Sequence, residues 1–155
     1  MKILKIQALR GPNIWSVQRK KLIQMRLDLE EMEQFPTNKI EGFRERIEAM
    51  FPTMIEHRCS EGCRGGFFSR VERGTWMGHV IEHIALEIQT LAGMETGFGR
   101  TRETKTPGVY NVVFSYTEEN VGLFAAESAV AIAESLIAGT EYDVEADIQK
   151  MREIR

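Results

Sequence analysis

Thr75-Trp76-Met77-Gly78-His79-Val80-Ile81-Glu82-His83-Ile84-Ala85-Leu86-Glu87-Ile88-Gln89-Thr90-Leu91-Ala92, followed by Gly93, decides how this chain is read. Ile81, Ile84, Ile88 and Leu91 recur at three- and four-residue intervals, which predicts an amphipathic helix with one side in a core. Thr75 is the expected N-cap and Gly93 the expected residue beyond the C-terminus. Each helical residue turns about 100° around the axis, so residues three and four apart are neighbours. His79, Glu82 and His83 therefore share a second stripe beside the apolar one.

A helix of this kind needs another layer to pack on, and the flanking sequence offers strands. Residues 2–9 read as a strand ended by the turn Arg10-Gly11-Pro12-Asn13. Residues 21–29 alternate, with Ile23, Met25, Leu27 and Leu29 on one face. A loop at Pro36-Thr37-Asn38 precedes a short helix over 40–50, and residues 51–74 read as an irregular loop rich in Arg, Gly and Cys. Beyond the main helix, 97–104 and 109–116 form an expected hairpin through Thr106-Pro107-Gly108. A small-residue helix over 118–137 stops at Gly139, and an amphipathic helix over 143–153 follows. The order predicts an α+β domain covering 1–155, a mixed or mostly antiparallel sheet with two long helices on one face.

The 155 residues are 43% hydrophobic and carry a net charge of −3, so nothing in the total charge points to nucleic acid. Charge is unevenly spread. Eight acids and no Lys or Arg lie between Glu118 and Asp147, whereas Arg58–Arg73 holds four arginines. The apolar runs read as too short to span a bilayer. The N-terminus does not read as a secretory signal. Two cysteines without an export signal favour thiols or metal ligands in the cytoplasm over a disulfide. Arg155 falls within a charged helical pattern, which favours an excised domain over a complete natural chain.

Two histidines at i and i+4 can reach one zinc ion, with the Glu between them placed as a general base for water instead of as a ligand. His-x-x-Glu-His is also a hydrolase signature. A catalytic zinc needs a third protein ligand; Cys59 is the first choice, Glu127 the alternative and Glu61 a weaker one. Two other arrangements stay open. The histidines can be ordinary helix residues bonded to backbone or to Glu82, or Cys59, Cys63, His79 and His83 can close a structural zinc site. Alternation would turn Arg100 and Arg102 the same way, as a carboxylate-binding pair or as a solvated strand face.

Several blocks together resemble the N-terminal domain of the cyanophycin synthetases. They are Leu9-Arg10-Gly11-Pro12-Asn13-Ile14-Trp15, Arg19-Lys20-Lys21-Leu22-Ile23, Met25-Arg26-Leu27-Asp28-Leu29 and Glu56-His57-Arg58-Cys59-Ser60 with Arg64-Gly65-Gly66-Phe67. Gly78–His83, Gly97–Thr104 and Gly108–Phe114 complete the set. The family makes cyanophycin, a poly-aspartate backbone with arginine on each side chain. The resemblance implies that ATP-grasp and Mur-ligase-like domains, absent from this chain, carry the ATP-dependent ligations in a full-length, homo-oligomeric enzyme. It implies that this domain holds the polymer and, with the His-x-x-Glu-His motif intact, cuts it into primers. The expected roles are zinc on His79, His83 and Cys59, with Glu82 as general base. Arg100 is expected to orient or polarise the substrate, and Arg100, Arg102, Arg64 and Arg70 to bind its carboxylates. The acidic run after Glu118 is expected to take guanidinium groups.

Overall fold

The computed structural model describes residues 1–16 and 20–155; Arg19, in one of the resembling blocks, lies outside them. Four strands, β1 (Lys2–Leu9), β2 (Leu22–Asp28), β3 (Gly99–Glu103) and β4 (Val109–Ser115), form one sheet in the order β1-β2-β4-β3. Each pairing is antiparallel. A register shift between Ile3 and Lys5 puts a bulge at Leu4 on the edge strand β1.

Alternation gives the sheet two unlike faces. Ile23, Met25, Leu27, Val112 and Phe114 face the main core. Gln7, Gln24 and Asn111 lie on the other face, joined by side-chain amide hydrogen bonds. Against the apolar face pack α3 (Met77–Leu91) and α4 (Glu119–Ala138), with α1 (Phe43–Met50), α2 (Gly66–Arg73) and α5 (Val144–Ile154) around them. The α+β expectation holds, and the two long helices share one face.

Three details differ from the sequence reading. The stretch 51–74 is not merely irregular: Pro52–Glu56 and Cys59–Glu61 are short 3-10 turns, and α2 buries Phe67, Phe68 and Val71. Its glycine-rich entry hid a two-turn helix. Helix α3 is capped not by Thr75 but by Trp76 in extended conformation, without a side-chain cap bond, because the Thr75 hydroxyl meets the His79 ring instead. Finally, α4 is long and apolar enough to cross a membrane by length and composition, contrary to the reading of the apolar runs. It serves as a core helix: Val121, Ala125, Ala129, Ile132 and Ala133 are fully buried, and small residues let it lie close to its neighbours. Cys59 and Cys63 are both free thiols.

Candidate metal centre

Helix α3 is buried almost all round, so its polar stripe is buried too: Glu82 and His83 are each 6% exposed and Glu87 only 3%. Such groups need partners. His79 and His83 bring their Nε2 atoms to 3.1 Å of each other. Cys59 Sγ lies 3.2 Å from His79 Nε2, and the three donor atoms all fall within 4.8 Å of one another. In a tetrahedral zinc site with the usual bond lengths, neighbouring nitrogen donors would sit about 3.3 Å apart. The separations of His79 Nε2 from His83 Nε2 and from Cys59 Sγ are of that size.

The far side of each ring is occupied. Thr75 Oγ1 is 3.0 Å from His79 Nδ1, and His57 Nδ1 is 2.9 Å from His83 Nδ1. His57 Nε2 in turn lies 2.7 Å from Glu87 Oε2, and the Thr53 hydroxyl donates to the other Glu87 oxygen. Phe67 of α2 stacks on the His83 ring, centroids 4.3 Å apart. Burial, helped by the charge of Arg70, lowers the His79 pKa to about 4. Burial and then the charges of His79 and His57 push His83 well below its ordinary value. Both imidazoles are thus neutral, the form a cation requires. Burial alone would raise Glu87, but hydrogen bonds from His57 and Thr53 bring it below the usual carboxylate range.

Cys59 reaches the histidines from an unusual backbone. Its φ is +55°, left-handed for a non-glycine residue and a conformation that costs energy unless its surroundings impose it. The turn carrying it is pressed onto α2 at Gly66, where a Cβ would overlap the Arg58 carbonyl oxygen. Two nitrogens and a thiol on a rigid frame suit a soft-to-borderline divalent cation and leave a fourth position open. The group fits zinc on the chemistry of its donors.

Glu82 lies in the same cleft, of about 1010 Å³, which His57, Cys59, Arg70, His79, His83 and Tyr110 help to line. Its Oε2 accepts a 2.6 Å hydrogen bond from Thr101 of β3, and its carboxyl fills the space a side chain at Gly99 would need. Burial raises the Glu82 pKa to about 7, against the lowering effects of the Thr101 bond and the Arg100 charge.

The arginines fall elsewhere than expected. Thr101 faces the helices, so its neighbours Arg100 and Arg102 stand on the sheet's opposite, exposed face beside Val113 and Asn111. Arg100 influences Glu82 only through its charge and does not line the cleft. Arg64 is exposed and paired with Glu56 at 2.7 Å. Of the arginines expected to bind carboxylates, which include those of 58–73, Arg70 and Arg58 line the cleft. Arg70 Nε is buried without a hydrogen-bond partner among the described residues. Glu127 is exposed on α4 and outside the donor cluster, Glu61 pairs with Arg73, and Cys63 is exposed outside the cluster.

His57, Glu87, Thr75 and Thr101 were not assigned to the site from sequence, although His57 and Thr101 lie in the resembling blocks and Thr75 was the expected N-cap. A signal existed for one of them: the i, i+4 step from His79 to His83 continues to Glu87, on the histidine stripe of the helix.

Residues 24–138 match the family described as the cyanophycin synthase-like N-terminal domain. The chain is 54% identical to a cyanophycin synthetase of Geminocystis herdmanii and 52% to one of Synechocystis sp., with 100% and 99% of the chain aligned. A cyanophycin synthetase of Trichormus variabilis is also 52% identical over 99% of the chain. The alignments cover only 17–18% of those relatives' own lengths. With three quarters of its length matched by the family and its whole length by these relatives, the chain belongs to the cyanophycin synthase-like N-terminal domain family.

Proposed function

We propose that this chain is a metallopeptidase-like hydrolase domain of a cyanophycin synthetase, cutting the polymer to supply primers for its extension. The observation that carries the reading is the convergence of Cys59 Sγ, His79 Nε2 and His83 Nε2 in a cleft shared with the buried carboxyl of Glu82. Those three residues would hold zinc, which when bound supplies a Lewis acid for water and for an amide carbonyl. Glu82, with a pKa near neutrality, is suited to take the proton of an attacking water and return it to the leaving amine. Thr101 orients that carboxyl, and Arg70 and Arg58 at the cleft are suited to the polymer's carboxylates. Such work belongs in the cytoplasm, where thiols stay reduced.

The test is zinc analysis of the purified protein with a cyanophycin cleavage assay. Wild type should hold zinc and shorten the polymer; Glu82→Gln should hold zinc and leave the polymer intact. Wild type without zinc, or Glu82→Gln with full cleavage, would overturn the proposal.

A second reading is a polymer-holding surface without chemistry, working beside ATP-dependent ligase domains in an oligomeric enzyme. It is favoured by the open sheet face, where Lys5, Arg26, Arg100 and Arg102 have no ion pair among the described residues. Individually weak exposed contacts of this kind gain strength by repetition along a polymer. The acids of α4 stand on the helix layer, away from that face.

A further inference from the structure

His79 and His83 present the same ring nitrogen to the candidate centre but are held from behind in different ways. Behind His79 is one hydroxyl, that of Thr75, which can donate or accept. Behind His83 is a chain that ends in a carboxylate. Glu87 is 3% exposed, and its two oxygens are used by His57 and Thr53. An ionised carboxylate only accepts, so His57 Nε2 must carry the hydrogen of the 2.7 Å contact. With its single ring hydrogen on Nε2, His57 presents a bare Nδ1, which accepts from His83 across 2.9 Å. That places the His83 hydrogen on Nδ1 and leaves the Nε2 lone pair turned to Cys59 and His79. Phe67, stacked on the His83 ring, leaves it little freedom to flip.

We propose that His57 and Glu87 are positioning residues that lock His83 in its Nδ1–H tautomer, so that its Nε2 is a ready cation donor before any cation arrives. The inference rests on the metal-centre reading and deepens it: His83 is the fixed imidazole of the pair, and His79, with only an ambivalent hydroxyl behind it, is the adjustable one. Partners in this outer position typically change metal affinity by about 10- to 100-fold.

The test separates the two contacts of His57 in the 155-residue chain. His57→Asn keeps an acceptor where Nδ1 was and loses the link to Glu87. His57→Gln keeps a donor for Glu87 and loses the acceptor for His83. Zinc affinity is measured by competition with a chromophoric chelator, cobalt(II) absorption reports the donor set, and melting of the zinc-free proteins reports any general loss of structure. The expected result is a zinc affinity within a few-fold of wild type for His57→Asn and about 10- to 100-fold weaker for His57→Gln, with similar zinc-free melting.

Two-bond proton–nitrogen NMR of zinc-free wild type supplies a readout independent of both variants and zinc. His83 should appear protonated on Nδ1 and His57 on Nε2. His83 protonated on Nε2, or His57→Gln binding zinc as tightly as wild type, would overturn the inference while leaving the metal centre standing. Wild type that takes up no zinc would overturn the metal-centre reading and this inference with it.

Discussion

Substituting Gly66 by Ala should loosen the candidate metal centre without unfolding the domain. A Cβ at this position would come within 2.8 Å of Glu61 Cβ and 2.9 Å of the Arg58 carbonyl carbon. Carbon atoms pack best at about 3.5–4.0 Å. The Arg58 carbonyl oxygen would be overlapped more closely still, so the 58–61 turn must retreat by roughly 1 Å or more, and Cys59 retreats with it, from a sulfur now 3.2 Å from His79 Nε2. Metal–ligand distances tolerate only about 0.2 Å of error, so the shift is several times what the centre can absorb. Overpacking costs about 1–3 kcal/mol, and alanine's better helix propensity returns up to about 1 kcal/mol. At roughly 2–4 °C per kcal/mol for a domain of this size, melting should fall by a few degrees, while zinc affinity should fall by about tenfold or more. Chelator competition and thermal melting measure the two. Gly97→Ala is the control, since a Cβ there meets nothing within 4 Å. Gly66→Ala with undiminished zinc affinity would refute the argument that this glycine seats Cys59.

Gly99→Ala intrudes on the other functional group, placing a Cβ 2.6 Å from the Glu82 carboxyl carbon. Zinc content should stay as in wild type and polymer cleavage should drop by about 10²-fold, the usual effect of a displacement near 1 Å; parallel metal analysis and cleavage rates check it. Cys63→Ser should leave zinc binding unchanged because Cys63 is exposed outside the cluster, whereas Cys59→Ser should weaken it severely; chelator competition distinguishes them. Gly122→Ala should destabilise the whole domain by about 1–3 kcal/mol, read by denaturant unfolding, because a Cβ there would lie 2.7 Å from Tyr116 Cβ and 2.9 Å from Ile23 Cγ1.

What the sequence made legible was whatever depends on local periodicity. The stripe of α3 and the alternation of Ile23, Met25 and Leu27 each follow from backbone geometry a few residues long. Gly93 and Gly139 likewise mark the ends of the long helices, each with positive φ. Helix α2 escaped because its eight residues begin with glycine, so propensity argued against it and only burial of Phe67 and Phe68 decided it. At the site, Cys59 was reached from residue chemistry and its place before the helix. The Glu87–His57 chain was not, since His57 meets its partners across 26 and 30 residues of sequence. Arg100 shows the opposite failure: alternation did turn it the same way as Arg102, but which face that was depended on Thr101 meeting Glu82.

The bulge at Leu4 bears on how this domain coexists with copies of itself. An outermost strand with a regular ladder invites a strand from another molecule to continue the sheet. On β1 the register breaks between Ile3 and Lys5, and an antiparallel self-pairing that set Lys2 opposite Lys5 would bring like charges together. The opposite margin, β3, is only five residues long and carries Arg100 and Arg102. Both borders of the sheet thus discourage growth by strand addition.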